Sequence, residues 1–107
     1  MTAEGAIEEV MAELSLRAAR RNRERARELE RLCADLRPDT PERAWVDAAQ
    51  IAHQIAGSSG TFGNAAASET ARLLLVALHS RDLTAVADHI DTLTALLAGP
   101  DRQDGGP

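Results

Sequence analysis

Residues 41–64 read PERAWVDAAQIAHQIAGSSGTFGN, and the reading of this stretch decides the fold. Thr40 followed by Pro41 predicts an N-cap and a first helical residue, because proline's fixed φ and missing N–H suit the opening turn of a helix. Phe62-Gly63-Asn64 predicts the stop, with Gly63 or Asn64 in the left-handed C-cap conformation. At about 100° per residue, Ala44, Ile51, Ile55 and Phe62 gather on one side, flanked by Ala48 and Ser58, and form the expected core face. His53 falls opposite, toward solvent, among Val46, Ala49, Gln50, Gly57 and Gly60. An imidazole in mid-helix, turned from the core and ringed by small residues, is not placed for packing. Each glycine costs about 1 kcal/mol relative to alanine inside a helix. Glycine kept at that cost points to the close approach of another backbone or a ligand. Spacing alone equally allows a helix that ends at Ala56, followed by a loop over 57–60.

On the N-terminal side, one segment runs from Ala3 to Leu36 with apolar residues at steps of three and four: Ile7, Val10, Met11, Leu14 and Ala18, then Leu29, Leu32, Cys33 and Leu36. Asn22 to Arg25 is polar on that stripe, which leaves open one long helix or two that bend near Arg20. Pro38, in the run from Arg37 to Pro41, forbids continuation. On the C-terminal side a third helix is expected over 65–80. Asp82 then caps a fourth, whose stripe is Leu83, Val86, Ile90, Leu93 and Leu97. Gly99-Pro100 closes it ahead of a polar, glycine-rich end. Four amphipathic helices on short connections predict an all-α, antiparallel four-helix bundle, with residues 1–98 as one domain and 99–107 as a disordered tail.

Composition agrees with this. The 107 residues are 44% hydrophobic, and Trp45 and Phe62 are the only aromatics, so alanine-rich helix seams are favoured over a β fold. The net charge of −5 argues against nucleic acid or an anionic membrane as the main partner. All twelve basic residues are arginine, seven of them between Arg17 and Arg31. Glu24, Glu28 and Glu30 interleave with that cluster, so a solvated, ion-paired face is the first reading and a docking surface for an acidic partner the second. Cys33, the single cysteine, allows no internal disulfide and no multi-thiolate metal site, and is expected to be a buried, inert thiol. The acidic first residues do not follow the order of a signal peptide, and the apolar run from Leu73 to Leu78 is too short to span a bilayer; the expected location is the cytoplasm. His79 suits the dipole at the end of the third helix, His89 lies beside the core stripe of the fourth, and neither has the neighbours of a metal ligand.

The segment from Ala52 to Gly63 resembles the phosphoacceptor motif of histidine-containing phosphotransfer (HPt) domains. His53, Ile55, Gly57, Ser58, Ser59 and Gly63 match the family pattern in register, and the Thr61-Phe62-Gly63 ending is similar to the phosphotransfer domain of chemotaxis-type kinases. The resemblance implies an HPt-like bundle that accepts a phosphoryl group on His53 and passes it to or from a receiver-domain aspartate in a two-component phosphorelay. It implies a response-regulator receiver domain and a sensor histidine kinase, hybrid kinases included, as partners of a monomer that meets neither nucleic acid nor membrane. It implies a phosphoryl carrier rather than an enzyme, with no cofactor or metal of its own. Positioning and charge neutralisation, Mg²⁺ among them, fall to the partner. His53 is then the phosphoacceptor, and Gln50, Ala56, Gly57, Gly60 and Arg72 are the phosphate- or partner-binding positions.

Two departures stand against the pattern. The basic residue usual three positions after the histidine is Ala56 here. The carboxylate that the chemotaxis branch places on the following helix corresponds by offset to Leu75, with Arg72 one turn earlier as a substitute charge. Both departures favour the alternative, a non-phosphorylated HPt-like helical module for binding or dimerisation. A kinase dimerisation helix is disfavoured by Gln54 and the glycines, and no acid–base or nucleophile–base pattern supports an enzyme.

Overall fold

The computed structural model describes residues 2–98, so the expected tail over 99–107 lies outside the described residues. Four helices account for the fold: α1 (Ala3–Ala34), α2 (Glu42–Thr61), α3 (Ala65–Ser80) and α4 (Leu83–Ala98). No strand occurs among the described residues. α1 packs against α2 and α4, and α3 packs against the same two, which closes a four-membered ring of helices. The short connections make consecutive helices antiparallel.

α1 is a single helix, opened by Thr2, whose Oγ1 accepts the Gly5 N–H at 3.1 Å. Its polar interruption is a buried clamp rather than a bend. Asn22 is 3% exposed, and its Nδ2 donates to Ser58 Oγ at 3.1 Å and to Ser59 Oγ at 3.4 Å on α2. Arg25 donates in turn to Asn22 Oδ1 at 2.9 Å. The amide is thus paired on both sides, as burial requires. Asn22→Ala should cost about 1–3 kcal/mol, because it strands two serine hydroxyls in the α1–α2 seam. The check is the urea midpoint; an unchanged midpoint would mean that water replaces the amide at no cost.

The expected stripe on the first half of α1 does not enter the core. Ile7, Val10, Met11 and Leu14 are 63, 56, 49 and 39% exposed, whereas Ala26, Leu29 and Leu36 are buried. Length is the reason. α1 has 32 residues against 20 in α2 and 16 in α4, and at 1.5 Å per residue its start projects past the ends of its neighbours.

α2 begins one residue later than expected. Pro41 takes the N-cap position and makes no side-chain cap bond. Thr40 Oγ1 instead accepts the Arg37 N–H at 2.7 Å and ties down the α1–α2 loop. The core face of α2 is also turned relative to the expected one: Trp45, Ala48, Ala52, Ile55, Ala56 and Ser59 are buried, while Ala44, Ile51, Ser58 and Phe62 are only half-buried. Periodicity gives weight to large apolar side chains, but here α3 approaches over alanines. Ala48 and Ala52 of α2 and Ala67 and Ala71 of α3 have no exposed surface. The helix runs through both Gly57 and Gly60, which removes the loop alternative.

Gly63 takes the left-handed conformation at φ 86°, and Asn64 opens α3, accepting the Ala67 N–H on Oδ1 at 3.1 Å. α3 closes with Arg81 in the left-handed region at φ 58°, where glycine is usual. Its guanidinium lies 4.6 Å from the centre of the Trp45 ring and pairs with Glu42, contacts that offset the backbone cost. Asp82 caps α4 as expected, accepting the Ala85 N–H at 3.1 Å, and Val86, Ile90, Leu93 and Leu97 are buried.

Candidate functional site

His53 stands in the middle of α2 with its side chain exposed. Among the described residues, none makes a hydrogen bond or ion pair to its imidazole, so a neutral ring keeps a free lone pair. The helix supplies the position: Ala52 and Ile55, on either side of it in sequence, have no exposed surface, and they pin the turn that presents His53 outward. Gln50, Gly57 and Gly60 are exposed on the same helix.

The two glycines have different causes. A Cβ on Gly57 would meet nothing within 4 Å, whereas one on Gly60 would lie 3.2 Å from Ser68 Oγ. That hydroxyl is buried and donates to the Ala56 carbonyl at 2.8 Å. Gly60 therefore makes room for α3. No contact among the described residues requires glycine at position 57.

Ala56 is a correction to the expected partner-binding set. It is 5% exposed and sealed in the α2–α3 seam, so it forms no part of a docking surface. A lysine there has to thread its stem past α3, and overpacking of this kind typically costs about 1–3 kcal/mol. Ala56→Lys is accordingly expected to lower the melting temperature, and any gain in labelling of His53 should be read against that loss. An unchanged melting temperature would show that the stem escapes along the seam.

On α3, Ser68, Arg72, Leu75 and His79 follow one another at steps of four, three and four, a single stripe. Ser68 bonds to α2, and His79 lines a cavity of about 100 Å³ with Trp45, Val46 and Ala49 of α2, so this stripe is the edge of α3 turned to α2. Arg72 is exposed and lies 3.6 Å from Glu69; Leu75 is half-buried. His79 Nδ1 is 3.0 Å from the Leu75 carbonyl, a contact in which the ring nitrogen is the donor. On the other flank of α2, Gln54, Gly57 and Thr61 border a groove of about 420 Å³ whose far wall is α1.

No group of three or more His, Cys, Asp or Glu side chains among the described residues is placed to hold a metal ion. Cys33 is half-buried and reduced; desolvation pushes its thiol up from 9.0 to about 11, which keeps it protonated and unreactive at neutral pH. The arrangement presents His53 as an accessible nucleophile on a rigid helix, and no side chain among the described residues bonds to it as an acid–base partner.

Sequence reasoning missed the Asn22 clamp, the burial of Ala56 and the separate cause of Gly60. Asn22 had a signal: it continues the series Ala18, Asn22, Ala26, Leu29 at core spacing. A family model of the Hpt domain matches residues 8–99, a span that takes in α2, α3 and α4 whole and nearly all of α1. No curated protein and no solved structure matches the chain.

Proposed function

The chain belongs to the Hpt domain family, whose members serve histidine phosphotransfer in phosphorelays, and on that premise we propose that it carries a phosphoryl group on His53. A lone-pair nitrogen of the imidazole attacks the phosphorus of a receiver's aspartyl phosphate in line. The N–P bond forms as the P–O bond to the aspartyl carboxylate breaks, and the carboxylate leaves with the electron pair. Reversal on a second receiver, or phosphorylation by a histidine kinase, uses the same geometry. The chain acts as a carrier, since positioning and charge neutralisation dominate such transfers and it presents the nucleophile alone. Arg72, on the α3 edge beside α2, is the side chain we assign to a phosphoryl oxygen once its exposed pair with Glu69 opens. The reading needs one copy of the chain and places it in the cytoplasm; no helix among the described residues is long and apolar enough to cross a membrane.

The observation that carries the reading is an exposed, unbonded imidazole one turn from Gly57, a helical glycine that no contact among the described residues explains. The test is incubation with a receiver domain bearing labelled aspartyl phosphate. Acid-labile, alkali-stable label on this chain supports the carrier. Stable binding without label supports the second reading, a binding module, which Leu75 at the carboxylate position favours.

A further inference from the structure

The groove between α1 and α2 borders the turn next to His53 and carries a row of arginines. Arg17, Arg21 and Arg25 line it at steps of four, and every charged residue along it is an arginine. Between α1 and α4, one groove mixes Glu30 and Asp91 with Arg31 and another carries Arg23 and Arg27, but neither includes a residue of α2, the helix of His53. Arg17 reaches Glu13 at 2.7 Å, but both side chains are more than 60% exposed, so the pair is screened and exchanges easily. Leu14 and Phe62 give the groove an apolar floor, and Gln54, Ser58 and Thr61 add polar groups. Gly57 belongs both to this groove and to the surface one turn from His53. A body seated over His53 can therefore continue across the bare backbone of Gly57 into the groove.

We propose that this groove receives an acidic face of the phosphotransfer partner, so that Arg17 and Arg21 select which receiver domain presents its aspartate to His53. The proposal rests on the carrier reading. Charge gives the direction: a chain of net charge −5 repels an acidic protein over most of its surface, and a local all-arginine strip beside the acceptor orients the encounter. Arg25 is left out of the test because it also holds Asn22.

The experiment compares wild type, R17E/R21E and R17K/R21K as full chains. Each is loaded on His53 with phosphoramidate, a small donor that needs no docking. Each is then mixed with a panel of receiver domains, and transfer is followed by rapid quench at low and high salt. The expected result is equal loading of all three, with wild-type transfer to its best receiver slowing as salt rises. At low salt, R17E/R21E should be about 10- to 100-fold slower in kcat/KM, with the rate at saturation nearly unchanged and the curves converging at high salt. R17K/R21K should stay close to wild type. R17E/R21E transferring at the wild-type rate, or wild-type transfer that ignores salt, overturns the groove while the carrier stands. A wild-type chain that exchanges phosphate with no receiver overturns both. Matching melting curves exclude misfolding, since glutamate and arginine have similar helix propensity.

Discussion

His53→Gln should abolish phosphoryl labelling by any donor and leave the fold as stable as wild type. Glutamine is close to histidine in size and lacks the nucleophilic nitrogen. The side chain it replaces is exposed and unbonded, and substitutions at such surface positions usually change stability by no more than about 0.5 kcal/mol. The two readouts are phosphoryl incorporation and the melting curve on the same sample. Incorporation should fall to background while the melting temperature holds. Label that persists, or that moves to His79 or His89, would sink the assignment of His53. His79 is the instructive control, because it too is exposed but its Nδ1 is committed to the Leu75 carbonyl.

The second large effect separates the glycines. Gly57→Gln adds a neutral, helix-favouring side chain where a Cβ meets open space, so the fold should gain up to about 1 kcal/mol. The same side chain stands where a receiver has to sit, and a displacement of about 1 Å at a reacting centre can cost roughly 100-fold in rate. A drop of that order in transfer from a receiver is expected, with loading by phosphoramidate unchanged. Gly60→Gln should behave in the opposite sense on stability: its Cβ pushes on Ser68 Oγ, whose bond to the Ala56 carbonyl holds the α2–α3 seam. Stability and transfer measured on both variants give four values. Wild-type transfer by Gly57→Gln would show that the glycine has no docking role.

Four helices and the match over residues 8–99 agree with an HPt bundle. Ala56 and Leu75 mark where this chain departs from the expected pattern, and the two experiments on His53 and Gly57 bear on whether transfer survives those departures.

What the sequence by itself determined was local. Helix limits followed from backbone chemistry within a few residues of each end: Gly63 at positive φ, Asn64 and Asp82 as caps, and the break at Pro38. The outward position of His53 followed from counting 100° steps along one helix, and the resemblance supplied its role. Whether a face found its partner was decided only in the tertiary structure. Ile7, Val10 and Met11 carry the same periodicity as Leu29, yet they stay exposed because no neighbour extends that far. Asn22 interrupts an apolar stripe, yet it is buried because Ser58 and Ser59 arrive opposite it. Gly57 and Gly60 are the same residue on one helix face, but Ser68 of α3 stands against one and not the other. Periodicity specifies which way a side chain points. The length, register and residue size of the helix across from it decide what it meets.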